Sequence, residues 1–158
     1  MGIVAIIMTT GVPAFVHAMR KEGLRKAVSD MVEGCSHARA QAILQGVPTE
    51  LVIRAEDGLI SVRPLQVRRL DEETGAPAGE GTSAAGAAST FRANLPDDIA
   101  IKLLHVNFND QMEYSEARVR FFPNGTCDEF AVILASPTGE QEVSLDVITG
   151  LADVKVIR

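Results

Sequence analysis

The sequence is poor in aromatic residues and in cysteine. It has no tryptophan, one tyrosine and six phenylalanines among 158 residues, so its core must be built mainly from valine, isoleucine, leucine and alanine. Two cysteines are too few for a disulfide scaffold, and their spacing fits no zinc-binding pattern. The composition therefore argues against a disulfide-rich domain and against a zinc domain.

The chain also lacks an excess of positive charge. Lysine and arginine number 15, aspartate and glutamate 21, and the formal net charge is −6. A general surface for nucleic acid or acidic membranes is therefore not expected. A length of 158 residues fits one domain with an appendage.

Motifs for catalysis are missing as well. No His-Glu-x-x-His, Gly-x-Ser-x-Gly or phosphate-binding loop occurs. The histidines His17, His37 and His105 lie in unrelated contexts. Cys35 and His37 are two residues apart on a predicted helix, so they point in different directions and form no nucleophile–base pair. We therefore expect a chain that is not an enzyme and that has no catalytic residues, no cofactor and no metal site.

What the sequence does contain is an uncharged, strongly apolar run at residues 2–16, followed by His17 and Arg20. A proline inside a helix removes a backbone hydrogen bond, so Pro13 predicts a kink. The candidate membrane and assembly portion covers about residues 2–19, and its members are Ile3, Val4, Ile6, Ile7, Val12, Pro13, Phe15 and Val16.

Three interpretations of this run compete. A complete transmembrane helix needs about 20 apolar residues, and the run is shorter. Residues 16–18 loosely imitate a signal-peptide cleavage site, but no basic residue precedes the run and the helical pattern crosses the cleavage point. The interpretation that we favour is a membrane helix whose first residues are missing from this sequence. A helix buried in the domain is less expected, because the next segment already supplies a core-facing stripe.

The helical pattern continues beyond the apolar run. Apolar side chains recur alternately four and three residues apart, which places them on one face of a helix. The members of this stripe are Leu24, Val28, Met31, Cys35, Ala38 and Ala42. Gly46 is suited to end the helix in the left-handed conformation, with Pro48 just beyond it. We therefore predict one helix over residues 1–46 whose stripe packs against a sheet.

Residues 50–158 have the pattern of a β-rich domain. Asp57 and Gly58 separate two alternating segments and predict a short hairpin. Residues 68–95 begin with a long stretch that has no apolar periodicity, and we predict that they form a mobile loop. Segments near 118–122, 130–134, 143–147 and 154–157 predict a four-stranded antiparallel meander. The predicted fold class is α+β, with a long N-terminal helix packed on an antiparallel β-sheet domain.

Three further features have weaker chemical interpretations. Acidic residues at 71–73, 97–98 and 128–129 can hold calcium only if loops converge, and solvated loop charge is the role that we expect. A disulfide between Cys35 and Cys127 would clamp the helix to the sheet in an oxidising compartment, although two independent thiols are the favoured alternative. Basic residues within 20–26 are placed to contact lipid headgroups.

Together these segments resemble the type IV pilin-like family, and within it the minor pseudopilins of the type II secretion system, the GspH/FimT class. The helical part of the resemblance is carried by residues 2–8, 13–15, 24–32 and 38–43. In the β-rich part, residues 119–126 read Val-Arg-Phe-Phe-Pro-Asn-Gly-Thr and look like the strand and turn Arg-Phe-x-Pro-Asp-Gly-Ser of that class. Residues 149–154 look like its closing strand.

The resemblance implies a non-enzymatic structural subunit that assembles through its N-terminal helix. Members are made with a short basic leader, which a prepilin peptidase removes before it methylates the new N-terminus, and a glutamate near that end steers assembly. Neither the leader nor that glutamate is found here, which supports the interpretation that residues are missing. The implied location is the bacterial inner membrane, crossed once, with the C-terminal domain in the periplasm or outside the cell.

The implied partners are other pilin or pseudopilin subunits of a filament, the inner membrane and secreted cargo. The alternative function is that of a minor pilin that binds DNA or another ligand in a type IV pilus or a DNA-uptake system. Nucleic-acid binding is not expected, because Lys155 and Arg158 are thin support for phosphate binding on an acidic chain.

Overall fold

The computed structural model describes the backbone of residues 2–65 and 90–157, and the side chains of residues 22–65 and 90–157. Most of the predicted mobile loop, residues 68–89, therefore lies outside the described residues. In the described part, one helix precedes nine strands: α1 (Gly2–Gln45), β1 (Thr49–Arg54), β2 (Leu59–Pro64), β3 (Phe91–Asn94), β4 (Ala100–Val106), β5 (Asn109–Asp110), β6 (Ala117–Phe121), β7 (Phe130–Ser136), β8 (Gly139–Leu145) and β9 (Ala152–Val156).

Helix α1 is 44 residues long and ends where the sequence predicts. Gly46 has a φ of +66°, and its N–H donates to the carbonyl oxygen of Ala42 at 3.0 Å. A residue in this conformation satisfies a carbonyl that the last helical turn leaves free, and glycine adopts it without a steric penalty from a Cβ atom. The predicted helix end is confirmed, and β1 begins at Thr49.

The first sheet has the antiparallel strand order β3-β2-β1-β6. Strand β6 alternates between buried Ala117, Val119 and Phe121 and exposed Arg118 and Arg120. This period of two gives the sheet one face toward the core and one toward solvent.

The hairpin predicted at Asp57 and Gly58 is present between β1 and β2. Arg54 pairs with Leu59, and Gly58 has a φ of +60° in the turn between them. The Gly58 carbonyl also accepts a hydrogen bond of 2.7 Å from the Leu95 N–H, which fixes the chain that follows β3 against the turn. The prediction of this hairpin is confirmed.

The second sheet has the antiparallel order β5-β4-β7-β8-β9. Its three last strands form the meander expected near the C-terminus, and the register of β4 on β7 shifts between Ile101 and Leu103. In β8, Val143 and Leu145 are buried while Ser144 between them is partly exposed. The strand therefore places its apolar side chains on the face toward the core.

The prediction that all four C-terminal segments form one meander is wrong for the first of them. Strand β6 pairs with β1 in the first sheet, and only an isolated bridge joins Phe121 to Cys127. The turn between them is closed by the Gly125 N–H, which donates to the Phe122 carbonyl at 3.0 Å. The chain then crosses to β7, which pairs with β4 and β8 in the second sheet.

The end of the predicted loop 68–95 is also different in the structure. Residues Phe91–Asn94 form β3, which pairs with Leu59 to Val62 of β2. Its half-buried residues are Phe91 and Ala93, and its exposed residues are Arg92 and Asn94. A strand this short, with polar side chains on one face, shows too little apolar alternation to stand out from the polar segment before it.

The hydrophobic core lies between α1 and the two sheets. Helix α1 contacts β1, β2 and β3 of the first sheet and β7, β8 and β9 of the second. The largest fully buried side chains are aliphatic for the most part, as the composition requires: Phe121, Phe130, Met31, Leu51, Ile53, Ile60, Leu104, Leu134, Val62, Val119, Val132 and Val143.

Candidate assembly helix and its junction with the sheets

The apolar stripe of α1 faces the sheets along its whole length. Its six side chains are at most 7% exposed: Leu24, Val28, Met31, Cys35, Ala38 and Ala42. Fully burying a side chain the size of leucine, valine or methionine contributes about 1.5–3 kcal/mol. The stripe therefore anchors the second half of α1 to both sheets.

The contact between the buried stripe of α1 and the sheets is called the seam. Its small residues allow a close approach of the helix to the first sheet. A Cβ atom added to Gly34 would lie 3.2 Å from Leu51 Cδ1 and 3.3 Å from Phe91 Cε1. These separations are shorter than ordinary contacts between carbon atoms. The helix backbone at Gly34 thus rests directly on side chains of β1 and β3.

Among the described side chains, the contact of α1 with the β-rich domain begins near Gly23. A Cβ atom at this position would lie 3.1 Å from a carboxylate oxygen of Asp98, and Leu24 is the first buried residue among the described side chains of the helix. From Gly2 to Leu24 the helix rises by about 33 Å at 1.5 Å per residue. This length of helix lies on the N-terminal side of the described buried stripe.

The residues predicted as the membrane portion, from Ile3 to Val16, all lie within the bounds of α1. Their side chains are outside the described residues, so their contacts and the kink at Pro13 stay predictions. In the described part of the chain, no helix combines the length and the apolar character needed to cross a membrane.

The C-terminal end of α1 is tied to two turns that are distant in sequence. Arg39 Nε donates to the carbonyl oxygen of Thr149 at 2.7 Å. The next residue, Gly150, has a φ of +64°, and a Cβ atom there would lie 2.8 Å from the Gly125 carbonyl oxygen. Only glycine fits this contact, so Gly150 lets the β8–β9 turn sit against the β6–β7 turn beneath Arg39. Sequence reasoning missed this junction.

A second polar contact ties α1 to the segment before β3. Gln41 is 7% exposed, and its Oε1 accepts a hydrogen bond of 2.6 Å from Thr90 Oγ1. The Gln41 amide nitrogen donates to Gln45 Oε1 at 3.4 Å. A buried amide is costly unless it is paired, so these bonds hold Thr90 in place above the helix.

The two cysteines are buried and free in the structure, with no disulfide between them. Burial, and then the neighbouring Cys127, raise the pKa of the Cys35 thiol to about 12. Burial, and then Asp128 and Asp146, raise the pKa of the Cys127 thiol to about 11. Because the thiolate is the nucleophile, both groups are unreactive near neutral pH.

Charged side chains on the outer face of the first sheet join its strands. Glu116 accepts from Arg54 at 2.7 Å and from Arg118 at 3.2 Å, and it lies 3.8 Å from Arg63. The hydrogen bond from Arg54 is the first cause that lowers the pKa of the Glu116 carboxyl below its ordinary value. These pairs are partly solvated, so each contributes modestly to stability.

The acidic residues considered for calcium do not come together in the described residues. No group of three or more histidine, cysteine, aspartate or glutamate side chains is placed there to hold a metal ion. Asp98 lies beside Gly23, and Asp128 accepts from Arg120 Nε at 2.8 Å. Residues 71–73 lie outside the described residues.

The histidines are also apart. The ring of His37 lies on α1 with its centroid 5.7 Å from that of Phe91, while His105 is part of β4. Neither histidine accompanies a reactive nucleophile, since the nearest candidate on α1, Cys35, is buried and protonated.

The comparisons with known proteins point to one fold. No protein-family model matches the chain, and no curated protein matches it by sequence. Solved structures do match, at identities that make the likeness one of fold.

The type IV minor pilin FimU of Pseudomonas aeruginosa is 14% identical with a TM-score of 0.55, covering 85% of this chain and 90% of FimU. The minor pseudopilin EpsH of the Vibrio cholerae type II secretion system is 12% identical with a TM-score of 0.54, covering 86% and 94%. Escherichia coli GspH is 13% identical with a TM-score of 0.53, covering 87% and 90%. The chain therefore has the type IV pilin-like fold of the GspH class.

Proposed function

We propose that this chain is a structural subunit, a minor pseudopilin of a type II secretion pseudopilus or of a related type IV pilus-like machine. The observation that carries the proposal is the length of α1, which extends for about 33 Å on the N-terminal side of Leu24, where the described buried stripe begins. This part of the helix has an apolar, uncharged sequence over residues 2–16. The fold shared with minor pilins and pseudopilins supports it.

In the proposed mechanism, the apolar part of α1 lies in the inner membrane and later packs among the helices of other subunits in a filament. The sheets lie in the periplasm or outside the cell, where they contact neighbouring subunits and secreted cargo. The buried stripe from Leu24 to Ala42 fixes the sheets to the helix, so a displacement of the helix carries the whole subunit. Prepilin-type methylation stays an expectation, with no residue of this chain assigned to it.

The proposal includes no catalytic step. The buried thiols are protonated near neutral pH, and Asp128 is engaged by Arg120.

The alternative, a minor pilin that binds DNA, has less support. Lys155 lies 3.8 Å from Asp153 on β9, so its charge is partly balanced by a neighbour. Phosphate binding needs clustered basic groups.

The membrane part of the proposal can be tested with lipid vesicles. The purified chain is mixed with vesicles and floated in a density gradient, and we expect it to rise with the lipid. Ile7→Asp should weaken this, because a charge in the hydrocarbon region costs about 2.5–3.5 kcal/mol. Ser36→Asp is the matched control, since Ser36 is an exposed residue of the same helix.

A chain that begins at Arg20 supplies the second comparison. It retains the whole buried stripe and should stay in the aqueous fractions without detergent. If the complete chain were equally soluble without detergent and did not float, the membrane role of residues 2–19 would be wrong.

A further inference from the structure

Strand β9 forms one edge of the second sheet. In the described part of the chain it pairs with β8 alone, at the end of the strand order. The edge is accessible, because Val154 is 40% exposed and Val156 is 73% exposed. An uncovered edge strand presents unpaired backbone groups, which another strand can bind by extending the sheet.

The backbone groups of β9 that face this open edge can be identified from two hydrogen bonds to β8. Ile157 N–H donates to the Glu140 carbonyl at 3.0 Å, and Asp146 N–H donates to the Leu151 carbonyl at 3.0 Å. In antiparallel strands such pairs alternate with pairs that are not hydrogen-bonded, so every second residue from 151 to 157 bonds to β8. The N–H and carbonyl groups of residues 152, 154 and 156 therefore face the open edge.

The apolar side chains of β9 share the face of the sheet that is toward the core. Val154 lies opposite the buried Val143, and Ala152 lies opposite the buried Leu145. Exposure along this face rises from the partly buried Ala152 to Val156. The apolar face of the sheet therefore continues beyond the part that the core covers.

The other face of β9 carries one negative and one positive charge. The side chains of Asp153 and Lys155 are 67% and 64% exposed, and their charged groups lie 3.8 Å apart. Val154 stands between them, so the order along the strand is acidic, apolar, basic. In the opposite direction the order is basic, apolar, acidic. An antiparallel copy of the same strand therefore places its basic residue opposite the acidic one.

We propose that β9 binds β9 of a second copy of this chain, antiparallel and with the two Val154 residues opposite each other. In this register Val154 and its copy form a hydrogen-bonded pair, and each Ala152 forms another with Val156 of the other copy. The N–H and carbonyl groups at the open edge are then all paired. Asp153 lies directly opposite Lys155 of the other copy, in the pairs where side chains approach most closely.

The charges select this register over its neighbours. A shift that keeps the outward backbone groups paired moves one strand by two residues, because the pattern of a strand repeats every two residues. One such shift places the two Asp153 residues opposite each other, and the other shift does the same for the two Lys155 residues. Like charges directly opposite each other are destabilising. The strand is therefore complementary to itself in one register.

The pair is a state of the chain outside the proposed filament, and the inference goes beyond the proposed function. Its two-fold axis is perpendicular to the sheet, and α1 packs along the core face of that sheet. The two α1 helices therefore point in opposite directions and cannot enter one membrane from the same side. Pairing through β9 and assembly through α1 exclude each other, so the failure of one proposal would leave the other unaffected.

The association is measured by analytical ultracentrifugation of the complete chain in mild detergent over a range of concentrations. One short strand from each copy makes a small interface, so we expect a monomer–dimer equilibrium with a dissociation constant on the order of 100 µM. Asp153→Lys replaces opposite charges by like charges across the pair and should weaken association about tenfold. The double variant Asp153→Lys with Lys155→Asp brings opposite charges together again and should recover most of the association.

Glu113→Lys is the matched control for these variants. It makes the same change of charge at an exposed residue outside β9, and it should leave the association unchanged.

Cysteine substitution reports the register itself. In a hydrogen-bonded antiparallel pair the Cα atoms are about 5.5 Å apart, which a disulfide can span. Val154→Cys should therefore form a disulfide with the same residue of a second copy when oxidised glutathione is added. Val156→Cys is the matched control, because this position is more exposed. In the proposed register its two copies are about 14 Å apart along the strands and should not be joined.

Three outcomes would overturn the proposal. The first is a chain that stays monomeric well above the expected dissociation constant, which would leave the β9 edge to a different partner. The second is association that Ile7→Asp abolishes and Asp153→Lys does not weaken, which would assign the dimer to the apolar helix. The third is crosslinking of Val156→Cys at least as fast as that of Val154→Cys, which would place the strands in another register.

Discussion

Replacing Met31 by alanine tests whether the stripe of α1 carries the packing of the domain. Met31 is fully buried, with 0% of its surface exposed, at the middle of the seam between the helix and the sheets. Truncation of a buried methionine removes its apolar contacts and leaves a cavity, which costs about 2–5 kcal/mol. The higher helix propensity of alanine returns only a few tenths of a kcal/mol.

Leu44→Ala is the matched control on the same helix. Leu44 is 85% exposed, so its truncation should change the free energy of unfolding by no more than about 0.5 kcal/mol. Met31→Leu is the conservative variant and should cost less than about 1.5 kcal/mol, because it nearly conserves the volume of the side chain.

The free energy of unfolding is measured by urea titration of the three variants and the original chain. Far-UV circular dichroism is the suitable signal, because the chain has no tryptophan. For a chain of this size, 2 kcal/mol corresponds to a fall of the melting temperature of at least about 4 °C. If Met31→Ala lost no more stability than Leu44→Ala, the helix would not be docked on the sheets as described.

Three further predictions concern other parts of the seam and the sheet. Gly150→Ala should lower the melting temperature, because a Cβ would meet a backbone carbonyl oxygen at 2.8 Å and φ is +64°; thermal unfolding measures it. In the native chain, Cys35 and Cys127, with pKa values of about 12 and 11, should react with a thiol reagent only after unfolding, and rapid labelling at pH 7 would contradict their burial. The hydrogen bond from Arg54 lowers the pKa of the Glu116 carboxyl in the folded chain. Its contribution to the free energy of unfolding is therefore present above the unfolded-state pKa and is lost as the pH falls through the folded-state pKa. In Glu116→Gln, the free energy of unfolding should fall less steeply as the pH is lowered through this range.

The helix and the local turns could be predicted from the sequence because their signals are local. The spacing of Leu24, Val28 and Met31 reports one face of a helix, and all three are buried. Gly46 and Gly58 both have positive φ, as their turn positions require. Such patterns depend only on residues that are close together in the chain, so they can be recognised in a single sequence.

The assignment of strands to sheets could not be predicted in the same way. The turn around Gly125 suggests a hairpin, yet β6 pairs with β1 and β7 pairs with β4. A turn directs the chain back but does not decide which partner a strand finally has. That choice depends on β1 and β4, which are distant in sequence.

The polar contacts of the seam were equally beyond sequence reasoning. Arg39 reaches the carbonyl of Thr149, and Thr90 reaches Gln41, and in each case the two residues are far apart in the chain. No local pattern marks such contacts.

The central claim is that the N-terminal part of α1 joins this chain to other pilin subunits. A photo-reactive amino acid placed at Ile7 in the bacterial cell tests it most directly, with the same group at the exposed Ser36 as the control. The account predicts crosslinks from position 7 to other pilin or pseudopilin subunits in the membrane fraction, and few from position 36. A chain that stayed uncrosslinked at position 7 and remained in the soluble fraction would contradict it.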